Sequence, residues 1–177
     1  MRAIRAHEFG GPDLLRLDEL PEPTPGPGQV RVRLHAIGVN PFDTYMLSGT
    51  YAIKPPLPYS PGADGAGVID AVGPGVTGVA VGDRVYTAGT ADHSAYGAYR
   101  ETVLCAQGQV HPLPDRVSFA SSGSGSNSTR SDPSAPKRSY RVMTASELLP
   151  QGLDSWFTRG DTDGDGLPDA WERNGYD

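Results

Sequence analysis

The chain has 177 residues, a formal net charge of −6 and a single cysteine, Cys105. That length suits one domain with an appended module, and the negative charge, with no basic stripe to offset it, argues against nucleic acid as a partner. A lone thiol excludes intrachain disulfides and thiolate zinc clusters. No run approaches the ~18 apolar residues of a membrane span. The first eight residues, Met1 to Glu8, lack the apolar run of a signal peptide, so the expected address is the cytoplasm.

In chain order, the first strand candidates are residues 2–7 and 14–19. Gly26-Pro27-Gly28 marks a turn, after which Val30, Val32, Leu34 and Ala36 alternate with Arg31, Arg33 and His35. Strict alternation of this kind predicts a half-buried strand. Residues 40–64 break the rhythm: Pro41, Pro55, Pro56, Pro58 and Pro61 predict a long ordered loop packed on the domain. Further strands are expected at 65–72, 83–87, 97–104 and 109–113, each bounded by Gly, Pro or Asp. Short strands without amphipathic helices between them indicate a mainly β domain, a barrel or a sandwich.

Gly73-Pro74-Gly75-Val76-Thr77-Gly78 matches the glycine spacing of a dinucleotide fingerprint, with Asp92 near the distance of a ribose-binding acid. That motif needs a helix directly after the glycines, so that its N-terminus can hold a pyrophosphate. Turn and strand residues, Val79 to Val85, come next instead, and a turn between strands is expected. His7, His35, His93 and His111 have no metal-ligand spacing, and Cys105 reads as a buried structural thiol.

Asn40-Pro41-Phe42-Asp43-Thr44-Tyr45, followed by Tyr51, crowds amide, carboxylate and phenol groups at the exit of the best strand. These groups can orient a planar polar ligand. Equally, Asp43 can cap a short helix while the tyrosines pack.

After Ala120 the composition changes. Residues 121–143 open with eight serines and two prolines by position 139, which reads as a disordered linker. In the tail, 144–177, Thr144-Ala145-Ser146-Glu147 has capping-box spacing, and Pro150 limits any helix there to about a turn.

Residues 1–120 resemble the N-terminal GroES-like domain of the zinc-independent quinone reductases, the zeta-crystallin branch of the medium-chain dehydrogenase/reductase superfamily. The resemblance is carried by Glu8-Phe9-Gly10-Gly11-Pro12, Gly38-Val39-Asn40-Pro41, Asp43-Thr44-Tyr45, Ser48-Gly49-Thr50-Tyr51 and Pro58-Tyr59-Ser60-Pro61-Gly62. Gly65-Ala66-Gly67-Val68-Ile69 and Val81-Gly82-Asp83-Arg84-Val85 continue it. It implies a GroES-like, partly open β-barrel and NADPH-dependent reduction of a quinone-like small molecule. By the same resemblance Tyr45 and Tyr51 are the catalytic-site tyrosines, and Asn40, Asp43 and Tyr45 face the nicotinamide. Where zinc-dependent relatives carry a Cys and a Gly-His-Glu, this chain has Asn40 and Gly62-Ala63-Asp64, so no zinc is expected. Met46-Leu47 stands where relatives have an Arg, which removes one charge from the cleft.

Relatives continue past Ser118-Phe119-Ala120 into a Rossmann domain and then return to complete the barrel. No Rossmann domain is recognisable here, so the sequence reads as a truncated or chimeric reductase. NADPH binding and hydride transfer by this chain alone are not expected, and exposed β edges predict self-association. The tail points elsewhere. Asp161, Asp163, Asp165, the Leu167 carbonyl, Asp169 and Glu172 fit the ligand positions of a twelve-residue calcium loop, with Gly166 at its turn. It also resembles calcium loops of extracellular thrombospondin-type repeats and of binary-toxin components. The rival expectation is therefore a calcium-binding scaffold without enzymatic activity.

Overall fold

The computed structural model describes residues 1–52, 54–88, 97–119 and the backbone of 141–144. His93, Asp92, the linker up to residue 140, the short helix expected after Thr144 and the calcium positions 161–172 lie outside the described residues.

Around Gln29–Val39 (β3) the rest of the fold is assembled. Its alternation is kept through Ala36: Val30, Val32, Leu34 and Ala36 are buried, Arg33 and His35 are exposed. The next three residues, Ile37, Gly38 and Val39, are all buried, so both faces of the strand are covered at its C-terminal end. Six strands share its sheet. Thr102–Ala106 (β6), β3, Asp64–Val72 (β4), Arg84–Ala88 (β5) and Val110–Pro112 (β7) lie in that order, and Arg141–Thr144 (β8) also pairs with β3. All the described pairings are antiparallel. A separate hairpin joins Arg2–Ala6 (β1) to Leu15–Glu19 (β2). Open sheets, mainly β content and one small helix make the expected GroES-like domain.

Val30, Val32, Leu34, Ile69, Val85, Val103 and Cys105 form the core between the strands. On the outer face, Arg31 and Arg33 reach Asp70 at 2.7 and 3.1 Å and also Glu22. Such half-exposed pairs contribute little each, but they keep an otherwise β-branched strand from presenting an apolar outer row. Burial pushes the Cys105 thiol up to about 12, as suits a structural cysteine.

Two sequence boundaries move. The expected strand 97–104 starts only at Thr102. Residues 97–101 instead thread between β1 and the loop before β4: the Ile4 amide donates to the Tyr99 carbonyl at 2.8 Å, and the Tyr99 amide to the Pro61 carbonyl at 2.9 Å. A Cβ on Gly97 would collide with the Ser60 carbonyl, so only glycine allows that passage. The expected linker 121–143 overlaps β8, because residues 141–143 pair with β3. The glycine motif behaves as the spacing of apolar residues after it foretold. Gly73 to Gly82 is a run of turns between β4 and β5, with Gly75, Gly78 and Gly82 at positive φ and no helix after them.

Gly67 marks the closest approach of β4 to β3, beside the register shift between Leu34 and Ala36. A Cβ there would overlap the Arg33 carbonyl. Gly67→Ala should therefore destabilise the domain by about 2 kcal/mol or more, read as a lower urea midpoint at unchanged slope. An unchanged midpoint would mean that the two backbones can separate freely.

Candidate functional site

Asn40 ends β3 and precedes the helix Pro41–Leu47 (α1). Pro41 is tolerated in the first turn, where its missing N–H has no helical partner to lose. The loop expected over 40–64 thus begins with a helix. Asp43, in the first turn, reaches back to accept the Asn40 backbone N–H at 2.8 Å, as a capping carboxylate does. It does more than cap. The Tyr99 hydroxyl donates to the same oxygen at 3.2 Å, and the Gly62 backbone N–H donates to the other at 3.2 Å. Asp43 is buried, and its carboxylate joins three segments far apart in sequence.

The Asn40 side chain points to a different carboxylate, donating from Nδ2 to Asp64 Oδ1 at 2.7 Å. Gly38 makes room for this: a Cβ there would meet the Asp64 carboxylate at 2.5 Å. Asn40 stands where the resemblance puts the Cys of zinc-dependent relatives, and Asp64 ends the Gly62-Ala63-Asp64 stretch that stands where they have Gly-His-Glu. Here an amide–carboxylate hydrogen bond joins Asn40 to Asp64. Among the described residues no group of three or more His, Cys, Asp or Glu side chains is arranged to hold a metal.

Burial drives the electrostatics. Desolvation raises the Asp43 carboxyl to about 7, against the opposing effect of the Asn40 N–H and with a further push from the nearby Asp64 charge. Asp64 is raised as well by burial, and the Asn40 amide counters this. Burial and the neighbouring Asp43 hold the Tyr99 phenol well above its ordinary range, so it remains a donor. Tyr59 is likewise raised by burial, and its hydroxyl has no hydrogen-bond partner among the described residues.

Tyr45 and Tyr51 face outward, 53% and 38% exposed. The Tyr51 ring meets Phe42 edge-on at 4.8 Å between centroids, and its backbone N–H donates to the Tyr45 carbonyl at 3.2 Å. Tyr45 and Tyr51 therefore share one exposed rim, half-buried Asn40 lies at the start of the same helix, and Asp43 is turned inward. The cavity beside Asp43, lined by Leu15, Thr44, Leu47, Pro61 and Tyr99, is only about 10 Å³, room for one water at most. A larger hollow of about 400 Å³, lined by Gly78, Val79, Asp83, Arg84, Pro112 and Asp115 among others, shares no residue with this cluster. Its charged groups are engaged with one another and with backbone, Arg84 pairing with Asp115 at 3.4 Å and Asp83 accepting the Ala80 N–H at 2.8 Å, so the rim with its exposed tyrosines is the better candidate.

Sequence reasoning missed Tyr99, Tyr59 and the roles of Gly38 and Gly62. Tyr99 lies 56 positions from Asp43. The one signal for it was a phenol in a segment expected to be a strand, since a buried phenol needs a partner.

Residues 26–115 match the alcohol dehydrogenase GroES-like domain. The chain belongs to that family. Rat quinone oxidoreductase is 48% identical to it over 120 residues, which are 67% of this chain and 35% of that protein. The GroES-like domain also superposes on the Escherichia coli quinone oxidoreductase crystallised with NADPH, with a TM-score of 0.65 and 35% identity, covering 70% of this chain and 36% of that one. A human synaptic vesicle membrane protein VAT-1 homolog-like structure is similar too, with a TM-score of 0.66 and 32% identity over 71% of this chain and 39% of that one. The chain spans about a third of the length of the curated relatives it matches. Among the described residues of this GroES-like domain, no helix is long and apolar enough to cross a membrane.

The buried carboxyl makes stability pH-dependent in a stated direction. Asp43 has an ordinary value of 3.8 and a folded value of about 7, so the folded state binds the extra proton. Its contribution is full below pH ~4 and is lost as pH rises through ~7, by at most about 4 kcal/mol. Asp43→Asn should abolish that part of the slope in urea titrations between pH 4 and 8. Tyr99→Phe, which removes a donor to the ionised form, should move the wild-type midpoint upward. A slope identical in wild type and Asp43→Asn would rule out Asp43 as its source.

Proposed function

We propose that this domain is the substrate side of an NADPH-dependent quinone reductase, working beside a nucleotide-binding domain. The observation that carries the reading is the rim itself: Asn40, locked by Asp64, next to two outward tyrosines. Its family membership and the 48% identity to a quinone oxidoreductase support the same assignment.

The residues present suit a nicotinamide. With one Nδ2 hydrogen engaged by Asp64, the Asn40 amide keeps a second N–H and a carbonyl, a donor–acceptor pair matched to a carboxamide. When bound, NADPH supplies the hydride. The protein's part is orientation. Asp64 stops the Asn40 amide from rotating, and Asp43 fixes the turn that carries Asn40 and Tyr45. Tyr51, braced edge-on by Phe42, offers an aromatic face and a phenol to a planar quinone. Neither a thiolate nor an imidazole stands at Asn40 or in Gly62-Ala63-Asp64, so the reading involves no zinc. A single buried thiol suits a reducing compartment such as the cytoplasm.

The turn at Gly73 to Gly82 gives no helix N-terminus for a pyrophosphate. Titration of the 177-residue chain with a water-soluble benzoquinone, followed by amide NMR, should move Asn40, Tyr45 and Tyr51 resonances with a weak, millimolar-order affinity. Tyr51→Ala should reduce that affinity severalfold. NADPH added in the same way should give no saturable binding. Tight NADPH binding by this chain, or quinone shifts confined to residues outside the rim, would sink the reading.

A second reading concerns the tail and rests on spacing alone. We propose that Asp161, Asp163, Asp165, Leu167, Asp169 and Glu172 take one calcium ion, since five carboxylates in twelve residues repel one another without a cation. Millimolar calcium should then change the emission of Trp156 and Trp171, and Asp161→Asn should suppress the change. A flat titration would end this proposal and leave the reductase reading untouched.

A further inference from the structure

β3 is paired along one edge by β4, from Val30 to Ile37. Two different strands share the opposite edge. β6 takes Gln29 to Arg33, and β8 takes Ala36 to Val39. Because Ala36 and Ile37 pair with both β4 and β8, β8 must lie on the side away from β4. The matched family domain, residues 26–115, includes β6 and ends before β8. A segment from outside that domain therefore completes its central strand, at the residues leading directly into Asn40.

An uncovered edge there would present unpaired N–H and C=O groups from Ala36 to Val39, a template for any extended chain. The recognition is through four backbone register pairs with β8, and Val142 and Thr144 favour the extended chain it needs. The 21 residues 120–140 between Phe119 and β8 are rich in Ser, Gly and Pro. At full extension they reach up to about 75 Å, ample for the strand to return to its own domain or to enter a neighbour's.

We infer that the β3 edge from Ala36 to Val39 is a strand-acceptor site whose occupant is Arg141–Thr144 of the same molecule. Its occupation keeps a second copy of the chain from adding there. The site is independent of any quinone or cofactor, so its test does not depend on the proposed reductase activity.

Hydrogen exchange on the full chain should show protected amides in both 36–39 and 141–144. In the quadruple variant Arg141→Gly, Val142→Ser, Met143→Gly, Thr144→Ser, those amides of 36–39 that point away from β4 should exchange about tenfold faster or more, while β1 amides stay protected. Light scattering should then reveal concentration-dependent dimers. A synthetic peptide of residues 138–147 should restore both protection and monomer. Unprotected amides at 141–144 in the wild type would overturn the inference, and that measurement decides the matter even if the variant unfolds. So would unchanged exchange, in the folded variant, at the amides of 36–39 that point away from β4. Intermolecular crosslinks from 141–144 in mixed-isotope wild-type samples would also overturn it, because the occupant would then be a second copy.

Discussion

One buried carboxyl, Asp43, ties the start of α1 to two segments distant from it in sequence. Its oxygens take the Asn40 amide that closes the end of β3, the Gly62 amide ahead of β4, and the Tyr99 phenol from the passage before β6. A lone carboxylate in such surroundings carries a heavy desolvation cost, which three donors only partly offset, and its affinity for protons rises accordingly. Removing the donors would leave a charge or an unpaired acid in the core. The position of α1, and with it Tyr45 and Tyr51, depends on this junction.

The site is built in layers of unequal exposure. Asp43, Tyr99 and Gly38 are buried and hold geometry, Asn40, Gly62 and Asp64 are half-buried, and Tyr45 and Tyr51 stand at the surface. Gly62, at φ +98°, turns its N–H to Asp43 and lets the Tyr99 ring pack where a Cβ would sit, 2.5 Å from the ring. Asp64 holds the Asn40 side-chain amide by a hydrogen bond at 2.7 Å, across 24 positions of sequence.

Local patterns carried far. The alternation in β3, the turn glycines and the short runs between them place most strands to within a residue or two, because side-chain period and φ > 0 requirements are local properties. The glycine motif at 73–78 could be dismissed for the same reason: Val79 to Val85, directly after it, have no helical period. Legibility failed where a residue's environment comes from a distant segment. Residues 97–101 contain enough apolar and aromatic character to resemble a strand, yet their backbone partners are β1 and the 61–62 loop. Residues 141–143 looked like the end of a linker because a four-residue strand owes its existence to the edge it joins.

By itself the sequence determined the mainly β class, the core alternation, and the cluster of amide, carboxylate and phenol groups at 40–51. Those properties depend on residue identity and short spacing. Only the tertiary structure decided which members of that cluster face solvent. Asp43 and Tyr45 are two residues apart on one short helix, and the helix's rotation buries the first and exposes the second. That rotation is set by Tyr99 and Gly62, whose contact with Asp43 exists only after the chain has folded back on itself.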